Sequence, residues 1–222
     1  MKFCSIDIET TGLDPENNQV LSIGAIIEDT TKKLPFEELP KFNVAVLHHQ
    51  LTGHPRALTM NKDLIRLINI FIENDEKEIL ANYKELYQYT YLQPDDVAKE
   101  FFDFLWRNQI GYELDFSKTV RMIDKKPYPV FGGNTKPIVI NVAGKNFGTF
   151  DKLFLEKLPW WKKLIQPKQR VLDPAILCCD WYTDESLPSL NECKKRLGVQ
   201  GVVTHNALED AWDVIQILRK FY

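Results

Sequence analysis

Only four cysteines occur in the chain, Cys4, Cys178, Cys179 and Cys193. Their number and irregular spacing exclude a disulfide framework and a paired CxxC zinc site. No apolar run approaches the ~20 residues needed to span a bilayer, which excludes an integral helical membrane protein. A surplus of positive charge is also missing: 28 Lys and Arg face 31 Asp and Glu, for a net charge of −3. That excludes a protein coating nucleic acid through bulk charge, but not an enzyme holding one strand end in a local cleft. The opening residues, Met1 to Asp7, place an acid where a signal peptide keeps its apolar stretch, so a reducing, cytoplasmic setting is expected. Internal repeats and low-complexity segments are absent. What is there is 222 residues, 44% hydrophobic and 27% charged, the make-up of one globular domain or of one domain carrying an insertion.

The residue pattern divides the chain in two. Lys2 to Glu9 is short, rich in β-branched and aromatic residues, and stopped by Thr11-Gly12-Leu13-Asp14-Pro15, which reads as a strand entering a turn. Gln19 to Ile27 and Asn43 to Leu47 read as two further strands of an antiparallel meander. Residues 61–92 switch to helical spacing, through Leu64, Leu67, Ile68, Phe71 and Ile72 and then Ile79, Tyr83, Leu86 and Tyr87. A third helix opens at Asp95 and carries Val97, Phe101, Phe104 and Leu105 on one face. Residues 111–137, with Gly132-Gly133 and three prolines, read as an irregular connection. Beyond Pro137, strands are expected at Ile138 to Val142 and Val171 to Leu177, and helices at Phe150 to Leu158, Leu190 to Leu197 and Leu208 to Phe221. A meander followed by β-α alternation predicts an α/β fold, a mixed sheet covered by helices.

Asp7 and Glu9 stand two apart on the first strand, so their carboxylates share one face while Ile6 and Ile8 occupy the other. Paired carboxylates at the end of an apolar strand repel each other and resist desolvation, so a cation, a shared proton or open water must compensate. Two readings follow: a hard-oxygen site for Mg²⁺ or Mn²⁺, or an edge strand with a solvated acidic face. Near the other end of the chain, His205 precedes an apolar-faced helix. Asp210 lies in its first turns, where unpaired N–H groups favour a carboxylate.

Asp7-Ile8-Glu9-Thr10-Thr11-Gly12-Leu13 resembles the first motif of the DEDDh 3′→5′ exonucleases, the family of the epsilon proofreading subunit of bacterial DNA polymerase III, ribonuclease T and oligoribonuclease. Asn146-Phe147-Gly148-Thr149-Phe150-Asp151-Lys152-Leu153-Phe154-Leu155 is similar to the second motif. Asn146 stands where His is frequent and Phe147 where Asn is frequent. His205-Asn206-Ala207-Leu208-Glu209-Asp210-Ala211 matches the third, and Leu187 to Val199 resembles the helix leading into it. The likeness spans roughly residues 1–47 and 94–222; residues 48–93 match no motif.

The resemblance implies a ribonuclease H-like fold: a mixed five-stranded sheet, three strands antiparallel and two parallel, with helices on both faces. One exonuclease domain, 1–222, would carry a helical insertion at about 48–93. Asp7, Glu9, Asp151 and Asp210 would hold two divalent cations, Mg²⁺ or Mn²⁺, with Asp7 bridging both, and His205 would be the general base. Thr10, Thr11 and Leu13 would meet the terminal nucleotide. Phe147 and Phe150 are aromatic groups on which bases can stack, Phe150 being assigned first to the core. The expected substrate is a single strand with a free 3′ end, DNA slightly favoured over RNA, releasing nucleoside monophosphates. A homodimer or a polymerase partner stays open, and no membrane is involved. Two rivals stand beside this reading: a non-catalytic nucleic-acid-binding module of the same fold, and a small-nucleotide phosphatase. For residues 48–93, a lid, a duplex-contacting arm and a dimer surface are the alternatives. His48, His49 and His54 lack a recognised zinc spacing.

Overall fold

A computed structural model describes residues 1–74, 83–111, 120–123, 126–129, 136–201 and 204–222. Strand β1 (Lys2–Thr10) is an interior strand of the sheet, antiparallel to the central β2 (Val20–Asp29), which pairs antiparallel with β3 (Lys41–Val46). The parallel strands β4 (Thr90–Leu92), beside β3, and β8 (Val142–Ala143), beside β1, complete the order β4-β3-β2-β1-β8. This is the expected mixed five-stranded sheet. Two small two-stranded sheets accompany it: β5 (Val120–Ile123) with β6 (Lys126–Pro129), and β7 (Ile138–Ile140) with β9 (Ile165–Pro167).

Helices cover both faces, which is why β2 reads as a nearly continuous apolar run, whereas β1 alternates toward its end, with Asp7 and Glu9 on one face and Ile6 and Ile8 on the other. One face buries Cys4, Ile6 and Ile8 of β1 against α3 (Pro94–Arg107), whose Val97, Ala98, Phe101 and Leu105 point inward. Phe101 meets Phe42 edge-on at 5.1 Å and stacks on Trp161 at 5.0 Å. Trp161 opens the short helix α5 (Trp161–Leu164) and is buried, whereas Trp160, half exposed, takes the left-handed conformation just before it. The opposite face buries Phe3 and Ile26 against α7 (Leu190–Leu197) and α8 (Ala207–Leu218). Burying Val214, Ile215 and Leu218 of α8 stabilises by roughly 1.5–3 kcal/mol each.

Three devices fix α8 on the sheet. Ser5 Oγ donates to the Ala211 carbonyl at 2.8 Å in the middle. At the C-terminal end Arg219 forks onto the fully buried Glu28 of β2, at 3.1 and 2.6 Å, and Tyr222 donates its hydroxyl to the same carboxylate. At the N-terminal end a Cβ at Gly24 would lie 2.2 Å from the Ala207 carbonyl carbon and the Leu208 nitrogen. Only glycine allows the helix to come this close. Gly24 is the β2 partner of Asp7, so the gap lies directly beside the acidic end of β1.

Several expected elements differ. Val171 to Leu177 is not a strand: Leu172 makes one isolated bridge to Ala143, and the chain then turns into α6 (Pro174–Cys178). Asp173 accepts from the Ala175 N–H at 2.9 Å and Pro174 takes the first helical position, a helix start that outweighs the β-branched lead-in. The strand expected over Ile138 to Val142 splits at Asn141, so that β7 pairs with β9 and β8 with β1. The helix expected from Phe150 to Leu158 shortens to α4 (Asp151–Leu155). Within 48–93, α1 (Pro55–Met60) precedes α2 (Lys62–Glu73), but helical spacing does not last to residue 92. Lys84–Gln88 is a single 3-10 turn, and β4 follows as a sheet strand; Ile79 lies outside the described residues. The same is true of Gly132-Gly133, while 120–123 and 126–129 of that connection form the β5–β6 pair.

Candidate active site

Four carboxylates and one imidazole meet at the Thr10 end of β1. Asp7 and Glu9 are partly exposed and share the sheet face that carries α8. Asp151, 3% exposed, opens α4, and its carboxylate accepts the Ile8 backbone N–H as well as its own. That contact seats the acid of α4 on the strand between Asp7 and Glu9. The loop leading to it is built for the purpose. A Cβ at Gly144 would fall 2.8 Å from the Ile6 carbonyl oxygen, Asn146 adopts a φ of 57°, and its N–H donates to Asp173 Oδ2 at 2.9 Å. Asn tolerates that backbone better than most residues.

The third acid, Asp210, reaches β1 because Gly24 lets the start of α8 descend onto the sheet. It is 6% exposed and accepts the Thr204 N–H, and its Oδ1 is buried with no hydrogen-bond partner. Carboxylate oxygens of Glu9 and Asp210 and a ring nitrogen of His205 all lie within 4.8 Å of one another. His205 is exposed and sits in the left-handed region, φ 55°, on the loop before the helix. Asn206 caps α8, its Oδ1 accepting from Leu208 N at 3.1 Å and Glu209 N at 3.3 Å.

The electrostatics fit this crowding. Burial raises Asp7 well above the carboxylate range, with Asp151, Asp210 and Glu9 adding to the rise. Glu9 is pushed up to about 8 by burial and then by Asp210, while the Asn61 amide pulls the other way. Asp151 and Asp210 each rise to about 7, chiefly through burial; Asp173 adds for the first and Asp213 for the second, and Lys194 opposes the rise of Asp210. Such a group of acids is held apart from its ordinary ionisation until positive charge is supplied. The unpartnered Asp210 oxygen, the hard-oxygen donors and the mutual repulsion together fit a divalent cation site formed by Asp7, Glu9, Asp151 and Asp210.

The other expected site residues are placed as follows. Thr10 and Thr11 are buried and occupied within the fold. Thr10 Oγ1 donates to the Gly12 carbonyl at 2.6 Å, and the Thr11 carbonyl accepts the His54 N–H at 2.7 Å. Leu13 is 84% exposed and lines a half-open cavity of about 540 Å³ with Gly12, His54, Arg56, Ala57 and Met60. Phe147 requires correction: at 1% exposure it is part of the core, tucked over Gly144, and is not presented to a base. Phe150 is half-buried against Phe154 at 5.0 Å, in keeping with its assignment to the core. His48 bonds the Val20 carbonyl oxygen at 2.7 Å and His54 caps α1, so both have structural work within the fold.

Residues 48–93 contribute two groups that no motif announced. Asn61, buried between α1 and α2, sets its amide against Glu9 and donates to the Thr10 carbonyl at 3.2 Å. Tyr89, just before β4, receives a hydrogen bond from Asn206 Nδ2 at 3.2 Å. Asn61 stands beside Lys62 and Asp63 and so carries no local signal in the sequence.

No protein-family model matches the chain, and no curated protein does. Solved structures do. Escherichia coli exonuclease I in complex with a dT13 oligonucleotide superposes with a TM-score of 0.54 at 13% identity, over 99% of this chain and 40% of that one. Exonuclease I from Methylocaldum szegediense gives 0.52 at 15% identity, over 98% and 39%. The chain thus spans about two fifths of the length of these neighbours. The likeness is one of fold: the ribonuclease H-like α/β sheet is theirs as well. No helix among the described residues is long and apolar enough to cross a membrane.

Proposed function

We propose that the chain is a metal-dependent 3′→5′ exonuclease that removes nucleoside monophosphates from the end of single-stranded nucleic acid, DNA before RNA. The observation that carries this reading is the convergence of Asp7, Glu9, Asp151 and Asp210 from three separate stretches, with His205 beside them. The dT13 strand bound by a neighbour of the same fold supports a single-stranded DNA substrate.

Asp7, Glu9, Asp151 and Asp210 would hold Mg²⁺ or Mn²⁺, which when bound supplies positive charge to the non-bridging and leaving oxygens of the phosphodiester. The chain's own groups do the rest. His205, exposed and close to Glu9 and Asp210, takes the proton of the attacking water as the new P–O bond forms. The P–O3′ bond then breaks, the 3′ oxygen takes up a proton, and the product is a 5′-monophosphate. Leu13, Ala57 and Met60 offer an apolar slot for the terminal base, and Arg56 stands at its rim where a phosphate can pass. Asn61, fixed by donation to the Thr10 and Ala57 carbonyls at 3.2 Å each, sets its amide against the Glu9 carboxylate.

The test is digestion of 5′-labelled single-stranded DNA and RNA of matched sequence, with Mn²⁺, Mg²⁺ or EDTA, beside Asp7→Ala. A ladder shortening from the 3′ end, abolished by EDTA and by the substitution, is expected. Release of phosphate from mononucleotides without attack on strands would replace the proposal with a small-nucleotide phosphatase. Strand binding without cleavage would replace it with a binding module.

A further inference from the structure

We infer that Tyr89 is a positioning residue for His205, acting through the side-chain amide of Asn206; the inference rests on the exonuclease reading of the same site. Asn206 has its oxygen committed to the first N–H groups of α8, which fixes the orientation of the amide and turns Nδ2 away from the helix. There it meets the Tyr89 hydroxyl oxygen at 3.2 Å. The acceptor is itself firmly held. The Tyr89 N–H closes the 3-10 turn on the Leu86 carbonyl at 3.2 Å, and its ring lies edge-on to Tyr91, which stacks on Phe71 of α2 at 4.0 Å.

His205 needs such support. A bulky side chain at φ 55° persists only where its surroundings over-determine the backbone, because the left-handed conformation is strained for a residue with a Cβ. On one side, Thr204 is tied by its N–H to Asp210 and by its hydroxyl to Glu209 at 2.6 Å. On the other, Asn206 is tied to α8 and, across the sheet, to Tyr89. His205 is the residue between these two anchors. Burial, and then Glu9 and Glu209, keep the phenol protonated, so the anchor adds no charge to a site already crowded with carboxylates.

The test is Tyr89→Phe, which keeps the ring and removes the acceptor, made alone and with His205→Ala, with kcat and KM measured on single-stranded DNA. Alone, it should lower kcat roughly three- to tenfold, the worth of one net hydrogen bond, and leave KM within about twofold. Added to His205→Ala it should cost nothing further, since the group it positions is gone. Unchanged kcat, or the same loss in both backgrounds, overturns the inference; the latter outcome would place Tyr89 on the substrate or in the fold alone. A readout independent of turnover is the NMR signal of the His205 ring, expected to shift or broaden in Tyr89→Phe while the dispersion of the core signals is kept. Ring signals that do not move overturn the inference even in an active enzyme. Moving signals in a wild-type protein that digests nothing would leave the positioning intact and remove the exonuclease reading instead.

Discussion

Strand β1 and the segment from residue 48 to residue 93 both reach the candidate site, by opposite means. β1 delivers Asp7 and Glu9 through its own geometry: side chains two apart share a face, whatever surrounds them. The segment delivers Asn61 and Tyr89 only through packing, Asn61 from the junction of two helices and Tyr89 from a turn that joins the far edge of the sheet. The first region supplies two of the four carboxylates of the site. The second supplies neutral hydrogen bonds that hold the charged groups and the capping residue of α8 in place. The lesson is that an acidic centre needs two kinds of sequence, one read locally and one read only in the folded chain.

The comparison is broken most severely at the charged side. Asp7→Ala, Asp151→Asn and His205→Ala are each expected to lower turnover by roughly 10² to 10⁴ while circular dichroism and melting show an intact fold. Full activity in any of them would remove that residue from the mechanism. Next comes the gap that admits α8. Gly24→Ala places a methyl against helix backbone and should cost roughly 1–3 kcal/mol in stability, with a loss of activity as Asp210 is lifted away. Denaturant midpoints and turnover measured together check it, and an unchanged midpoint would mean that the helix yields without strain.

The neutral side gives smaller effects. Asn61→Ala removes a buried donor from Glu9 and should lower kcat about tenfold, in line with roughly 1.5 kcal/mol for a hydrogen bond to a charged group. A loss as large as that of Asp7→Ala would erase the distinction between the two regions. The smallest effect has the opposite sign. In EDTA the folded-state pKa of Glu9, about 8, lies above its unfolded value, so the folded chain binds more protons between about pH 4.5 and pH 8. Cation-free stability therefore falls as pH rises through that window. Glu9→Gln should relieve the repulsion and raise the melting temperature at about pH 8 by roughly 2–4 °C. The gain should vanish near pH 4.5 and should reverse when Mn²⁺ is added to both proteins. A lower melting temperature for Glu9→Gln in EDTA at about pH 8 would contradict it.

How much of this was legible beforehand depended on the range of the interaction. The antiparallel meander, the two sheet-covering helices α3 and α8 and the stop at Gly198, φ 63°, all follow from local periodicity and capping, and they appear as expected. Phe147 belongs to the core rather than to a base because Gly144, three residues earlier, leaves the space that its side chain fills. In Val171 to Leu177 the Asp173-Pro174 helix start overrides the strand preference of Val171. Tyr89 and Asn206 lie 117 residues apart, and nothing in either neighbourhood announces the other. The same holds for Ser5 and Ala211.

The closeness of α8 to Gly24 also orders events during synthesis. A chain made from its N-terminus exposes Asp7 and Glu9 long before Asp210 leaves the ribosome, and the early strands can pair while the gap beside Gly24 stands open. The acid cluster is completed only when α8 drops into that gap, so assembly of the site and closure of the sheet face are one event. The four-acid arrangement therefore exists only in a chain whose α8 is docked on the sheet, and not in the β1–β3 meander by itself.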